Sequence, residues 1–571
     1  MAKWRLRDPD SEAVARLARR LGMPPVIAGF LVARGHTDEK AAERHVTVSA
    51  MALHDPALLP GMDVACERLA RAVRDGETIL VHGDYDVDGV TGTVLLMRLF
   101  RLIGAKAVWH IPNRLIDGYS FGAHSIARAE ETGATVVISV DNGTSAHEVI
   151  AALNERGVDT VVTDHHEAPP GPLPDALAIV NPKLPGSTYP WRELCGGAVA
   201  FKLAWGLARE VSGARKVNAE LKRFLEDAMA YVAIATVCDV VPLLDENRVF
   251  AHYGIRALEL TGNPGLRALL ASADLAGKRV TAEDVAFRVG PRINASGRLG
   301  STDRAVELLL ATDDGEARRL AAELDELNDE RRRIEKEVLV EARAQAADFL
   351  DDPLLVVAGQ GWHQGVVGIV AARLVDRFAR PAIVIGLDGD VGRGSARSIK
   401  GFDVLAAMQA GAEHMERFGG HAQAAGCEIR AERVDDLRRA VCARAREMLG
   451  SRDPSPEERE VDWELSFEEM TPDLMRWFDR LEPFGAGNER PVLLSRDLRL
   501  AEPQRRIGSD GTHLLLRLRH GGHVLKALGF GLAERSSELR MGVPIEAVYT
   551  PRWNTFRGET NLELQLLDFR A

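Results

Sequence analysis

The stretch Ile79-Leu-Val-His82-Gly-Asp84-Tyr-Asp86-Val-Asp88-Gly89 sets an apolar strand directly before one histidine and three aspartates, all within seven residues. Charges of one sign held that close repel unless a cation neutralises them. The order D-x-D-x-D-G also opens a calcium-binding EF-hand loop. Its twelfth position here is Leu95, where that loop needs a bidentate Glu, and a strand rather than a helix leads into it.

Outward from this segment, short apolar runs alternate with helical stretches: TILVHGD (78–84), VTGTVLLMRLFRLIG (90–104), AVWHIP (107–112), a helix near Ser125–Thr132, TVVISVDNG (135–143), HEVIAALNERG (147–157) and DTVVTDHH (159–166). Apolar runs of this length between amphipathic helices predict an α/β domain with a parallel sheet covered on both faces. Ligands of such sheets sit at the carboxyl ends of the strands. Those ends carry GDYDVDG, Asp141-Asn-Gly and Asp164-His165-His166, and Asp239 follows a further apolar helix. Singly, each has an ordinary reading as a solvated turn, a helix cap or a core histidine. Together, carboxylates and imidazoles on adjacent strand ends suit two divalent cations sharing a bridging aspartate, Asp141. Mixed nitrogen and oxygen ligation favours Mn²⁺ over Mg²⁺. Paired metals ~3.5–4 Å apart are the phosphoester-hydrolysis arrangement.

The 571 residues imply roughly three to five domains. A net charge of −12 argues against nucleic-acid binding through overall charge, yet Arg490–Arg557 holds 12 Lys/Arg against 6 Asp/Glu. Five scattered cysteines without a C-x-x-C pair suggest neither disulfides nor a zinc ribbon. With no apolar stretch long enough to span a bilayer and no signal-peptide core, a cytoplasmic protein without membrane contact is expected. The expected organisation is a helical lead-in (1–50), the α/β catalytic domain (51–302), a connecting helix (303–350), a second, smaller α/β domain (351–450) and a small all-β barrel (451–571). The connecting helix, capped by Thr312 or Asp313, reaches roughly 50 Å at 1.5 Å per residue. Arg292, Asn294 and Arg298 in PRINASGR, and Ser395 and Arg397 in GRGSARS, are expected in loops where glycines let backbone approach an anion and arginine grips phosphate. Arg114 after its strand joins this phosphate-binding set. Arg505, Arg506, Arg517, Arg519, Lys526, Arg552 and Arg557, with Trp553 and Phe556, suit an oligonucleotide-binding barrel that follows a backbone and stacks bases.

His82-x-x-x-Asp86-x-Asp88, Asp141-Asn-Gly, Asp164-His165-His166 and Asp239 resemble, in order and context, the four motifs of the DHH phosphoesterase superfamily. VHGDYDVDGVTG (81–92), IPNRLIDGYSFG (111–122), PRINASGRLG (291–300), GRGSARSIKGFDV (392–404), FGGHAQAAG (418–426) and PFGAGNERPVL (483–493) resemble its single-strand-specific 5′→3′ DNA exonuclease branch. The likeness runs from about residue 50 to the C-terminus. It implies metal ligation by His82, Asp84, Asp86, Asp88, Asp141, His165 and Asp239, with His166 close to the scissile phosphate. It makes Asp86, Asp141, His165 and His166 the catalytic group. It places His421 in the glycine-rich signature of a DHH-associated domain, against the substrate backbone, and makes the barrel an OB-fold. The implied activity is degradation of single-stranded DNA to 5′-mononucleotides in repair and recombination, with a single-strand-binding protein and a helicase as partners. A phosphodiesterase for short oligonucleotides or cyclic dinucleotides is the alternative; the barrel and the long helix argue against it. A metal-bearing scaffold without turnover would be expected to lose some of these acids.

Overall fold

Four apolar runs and the short run Ala178–Val180 build one five-stranded parallel sheet in the computed structural model, in the order 107–110, 79–83, 136–140, 159–163, 178–180. The structure describes residues 3–571 apart from 114–116, 118–120, 214–215, 301, 451–457, 509 and 557–558. Arg114 and Arg557 therefore lie outside the described residues, as does the side chain of Phe556. The strands Ile79–Gly83 and Val136–Val140 are buried throughout, as β-branched runs covered on both faces must be.

A second sheet has the order 415–421, 424–430, 391–397, 382–388, 355–360, with only the last pair parallel. The connecting segment is two helices, Asp303–Leu310 and Asp314–Ala347, rather than one. The Asp313 carboxylate caps the longer one by accepting from Gly315 and Glu316. Its 34 residues span about 51 Å. Leu320 and Leu324 are buried on its N-terminal half. On the C-terminal half Val338, Ala342 and Ala346 pack into the core beneath the second sheet with Leu355, Val370 and Leu374.

The chain divides into two compact units: residues 54–241 with 253–453, holding both sheets just described, and residues 1–53, 242–252 and 454–571. In the second unit a seven-stranded sheet closes on itself through pairing of Leu493–Leu500 with His513–His520. The ring runs 493–500, 513–520, 523–529, 559–570, 545–556, and only 523–529 with 559–570 is parallel. The N-terminal segment forms three helices, not two, after a short strand Lys3–Leu6 that pairs with Glu458–Val461. Leu17, Ile27, Phe30 and Leu31 share one core with Leu516, Tyr549 and Phe569 of the barrel. All five cysteines are free, and among the described residues no helix is long and apolar enough to cross a membrane.

Candidate metal centre

The chain runs from strand 79–83 out to 107–110 and back to 136–140, so the strand order reverses at the carboxyl ends of 79–83 and 136–140. Such a switch point leaves a crevice for ligands. Asp84, Asp86 and Asp88 follow the first of these strands and Asp141 the second. Asp86 caps the helix Val87–Leu102, its Oδ1 accepting from the backbone N–H of Asp88 (2.9 Å) and Gly89 (3.2 Å). Asp88 sits on the N-terminus of helix Gly196–Val211, accepting from Gly196 at 2.6 Å and Gly197 at 2.7 Å. A Cβ on Gly196 would lie 2.6 Å from that of Asp141, and one on Gly197 2.8 Å from that of Ala235. Only a Gly-Gly pair lets this helix end close on the acids. Asp141 takes φ = 65°, a left-handed conformation uncommon outside glycine that occurs at functional turns.

His165 is the hub. Its Nε2 lies 3.1 Å from Asp141 Oδ1, 3.7 Å from Asp239 Oδ2 and 3.8 Å from Asp88 Oδ2. Three sets offer donor atoms within 4.8 Å of one another: Asp84, Asp86 and Asp141; Asp88, His165 and Asp239; Asp141, His165 and His166. Asp141 belongs to two of them, the property a bridging ligand requires. Burial, then the charges of Asp88, Asp86, Asp239 and Asp84, push Asp141 well above the usual carboxylate range. Burial, then Asp88 and Asp86, push Asp239 to about 9, and burial raises Asp88. Asp141 Oδ1, Asp239 Oδ2 and His165 Nδ1 are sealed from solvent without hydrogen bonds. These acids cannot ionise together unless a cation enters. Clustered carboxylate oxygens with one imidazole are the donor chemistry of Mn²⁺ and Mg²⁺ sites.

Asp164, the first residue of the D-H-H triplet, plays another part. Its Oδ1 accepts from His166 Nδ1 at 2.7 Å and from the backbone of His165 and His166, and its Oδ2 accepts from Thr144 N–H. Burial alone would raise Asp164, but the hydrogen bond and charge of His166, with Thr144, hold it below its ordinary value. In return Asp164 raises His166 to about 9, so this largely exposed imidazole is a cation at neutral pH.

The sets containing the aspartates do not contain His82. His82 lies inside the strand on the face of Leu80, where side chains alternate away from the strand end, and its ring meets His110 and His124 instead.

The expected phosphate-binding groups divide. Arg292, Asn294 and Arg298 stand on a helix, Gly290–Arg298, not in a loop. The Arg292 guanidinium donates to the carbonyls of Arg288 and Ser272 and pairs with Asp325 at 2.8 Å. Asn294 Oδ1 accepts from Val87 N–H at 3.1 Å, and Arg298 donates to the Gly365 carbonyl. All three side chains are thus engaged within the protein. Ser395 and Arg397 lie on strand Val391–Arg397, with Arg397 donating to Ser395 Oγ at 3.0 Å. A Cβ on Gly368, in the first turn of helix Val367–Phe378, would lie 3.0 Å from Ser395 Oγ and 3.1 Å from Arg397 Nη2. A glycine-lined helix start, a hydroxyl and a guanidinium thus converge. Exposed His421 ends the strand Met415–His421, and burial, then the charges of Arg397 and His166, lower its pKa. Gly196, Gly197, Gly368 and the orienting role of Asp164 escape a reading of the sequence alone; the only trace is each glycine's place just inside a helix.

On the barrel, Leu514, Leu516 and Leu518 point inward and Arg517 and Arg519 outward. Cross-strand pairing of Arg505 with Leu515 and of Arg517 with Lys526 puts Arg505, Arg517, Arg519 and Lys526 on one outer face. Lys526 is paired with Glu563 at 2.7 Å and Arg517 with Glu502 at 3.3 Å. Arg506 donates to Ser536 Oγ, and Arg552 lies over the Phe530 ring. The Trp553 indole donates to Asp479 at 3.1 Å.

A parallel sheet whose switch point gathers acids and a D-H-H triplet defines a DHH-family phosphoesterase, and the DHH family N-terminal domain model matches residues 78–236, the DHHA1 domain 351–447 and the RecJ OB domain 461–568. Full-length relatives narrow the assignment. The chain is 36% identical over 572 residues (99% of this chain, 70% of the relative) to the single-stranded-DNA-specific exonuclease RecJ of Bacillus subtilis. It is 33% identical to the Escherichia coli protein of that name, over 98% of both chains. The crystal structure of RecJ in complex with Mn²⁺ from Thermus thermophilus matches with a TM-score of 0.84 at 29% identity, covering 100% of this chain and 80% of that one; the Mg²⁺ complex matches at 0.78. The chain belongs to the RecJ family of single-stranded-DNA-specific exonucleases.

Proposed function

We propose that this protein degrades single-stranded DNA from the 5′ end, releasing 5′-mononucleotides, with two divalent cations held by Asp84, Asp86, Asp88, Asp141, His165 and Asp239. The observation that carries this reading is the crowding of buried acids around the shared Asp141, which raises Asp88, Asp141 and Asp239 together. When bound, a metal pair activates water and offsets charge on the attacking and leaving oxygens of an in-line displacement. The chain's own groups do the rest. The N–H groups of Gly196 and Gly197 favour the ionised form of Asp88, and Asp164 aims His166, whose cation reaches the scissile phosphate to offset its developing charge. Ser395, Arg397 and the start of helix Val367–Phe378 hold the 5′-terminal phosphate, which fixes polarity and product length, and His421 adds a contact to the strand's backbone. The outer face of the barrel carries the strand that follows. Small dinucleotides need no such face, which favours the long-strand reading. The expected setting is the cytoplasm, in repair and recombination, beside a single-strand-binding protein and a helicase.

The test is digestion of 3′-labelled single strands, duplexes and dinucleotides in Mn²⁺. Labelled single strands should shorten from the 5′ end, and EDTA should stop the reaction. Preferred cleavage of dinucleotides, or shortening from the 3′ end, would overturn the proposal.

A further inference from the structure

We propose that His82, His110 and His124 form a second metal site, separate from the acidic centre, that binds one late first-row cation of the Zn²⁺ or Co²⁺ type. His82 and His110 are directly opposite on neighbouring strands, and His124 is the second residue of helix Ala123–Thr132. Their ring centres form a nearly equilateral triangle: 5.3 Å from His82 to His110, 5.5 Å from His82 to His124, 5.2 Å from His110 to His124. Three imidazoles on one tetrahedral ion at Zn–N ~2.0–2.1 Å have ring centres about 5.2 Å apart. One nitrogen from each ring lies within 4.8 Å of the others, and His110 Nε2 is 3.0 Å from His124 Nδ1.

The His82 ring is wholly buried, and neither of its nitrogens has a hydrogen-bond partner. A buried polar group left in that state is costly, and ligation would satisfy it. Phe121 packs edge-on against it, ring centres 4.9 Å apart, so that side of the His82 ring is apolar. Burial, then the neighbouring His124, lowers His110 to about 4, so its imidazole is a neutral ligand at pH 7. A site of three imidazoles without a carboxylate selects zinc, cobalt, nickel or copper over manganese and magnesium. The two centres would thus sort different metals. A cation here would also tie together the two ends of the stretch 111–123, which carries the IPNRLIDGYSFG motif.

The experiment uses the full-length protein, stripped with a chelator and returned to excess Mg²⁺ to fill the acidic centre. One equivalent of Co²⁺ should give the intense visible absorption of tetrahedral cobalt, and one equivalent of Zn²⁺ should displace it. X-ray absorption on the zinc form should show imidazole shells. The His110→Gln/His124→Gln variant should bind Co²⁺ at least roughly 100-fold more weakly, more than the loss of an outer-shell partner costs. It should keep its Mn²⁺-dependent nuclease activity. The Asp141→Ala variant should retain the cobalt signal. If the double variant does not fold, His124→Gln alone carries the comparison. Equal cobalt binding by wild type and histidine variant, or a signal lost in Asp141→Ala and kept in the histidine variant, would overturn the proposal and leave a hydrogen-bonded histidine pair beside a packed ring.

Discussion

The acidic centre and the cationic face of the barrel treat charge in opposite ways. At the centre, Asp88, Asp141 and Asp239 crowd one another in a buried crevice that raises all three above their ordinary values. On the barrel, cations are matched by acids: Lys526 by Glu563, Arg517 by Glu502, Arg496 by Glu464 and Glu546, Arg535 by Glu538 and Asp568. On the proposed reading, a site that is incomplete alone is finished by its metal, so each donor should be essential. On the proposed DNA path the paired cations Lys526 and Arg517 meet a polyanion only by exchanging partners, so each should contribute little and salt should compete with both.

The sharpest break of this contrast is Asp141→Ala. Removing an outer-shell partner of a metal site costs about 10–100-fold, so losing a shared ligand should cost well over 100-fold in kcat. Binding to single strands should stay near normal, because the barrel's cations are untouched. Turnover close to wild type in Mn²⁺ would sink the shared-ligand assignment.

Asp164→Asn separates positioning from ligation within the same centre. The neutral amide cannot hold His166 as a cation, and kcat should fall roughly 10–100-fold with KM little changed. His166→Gln should cost about the same, and the double variant no more than either. Additive losses would mean that Asp164 acts apart from His166.

The sequence made Asp84, Asp86, Asp88 and Asp141 legible because they follow apolar runs short enough to be buried strands, and carboxyl ends of parallel strands are where such residues meet; Asp239, after the helix Ala219–Cys238, is legible only through the superfamily pattern. What it concealed depends on packing at a distance. PRINASGR has a loop's composition, but its helix needs small residues because Gly297 packs on the Tyr85 carbonyl, where a Cβ would come within 2.5 Å. The Gly196-Gly197 pair carries no period, and only the folded chain brings it to Asp88. His82 fits the superfamily spacing in one dimension; strand alternation turns its ring to another face. Likewise, nothing local tells helices 11–46 that their apolar faces belong to a barrel more than 400 residues away, as shared burial with Tyr549 shows.

That shared core also decides how to test the barrel. A truncation near residue 453 would strip helices 11–46 of their partner, so point variants are the cleaner probe. Arg505→Gln and Arg519→Gln should each lower the slope of log K against log salt by about 0.7, as for one phosphate contact on a single strand. Lys526→Gln should change it less, since Glu563 already holds that ammonium. A slope unmoved by the arginine pair would remove this face from the DNA path.

The smallest effect concerns an ionisable group that the barrel unit keeps neutral with no ligand. His45 is buried beside Arg248, whose guanidinium donates to the carbonyls of His45, Arg480, Leu481 and Glu482. Burial, then the charges of Arg248 and His36, lower His45 to about 2. The unfolded chain takes up a proton near pH 6.5 that the folded chain refuses. The histidine therefore costs nothing at high pH, and stability falls by up to about 1.4 kcal/mol per pH unit below roughly 6.5. Between pH 6.5 and 5.5 the loss should be about 1 kcal/mol. Hydrogen exchange of the barrel strands at the two pH values should show this slope in wild type and a shallower one in His45→Gln, while the α/β unit responds identically in both proteins. Parallel slopes in the barrel would place its acid sensitivity in the carboxylates paired with Arg535 and Lys526 instead.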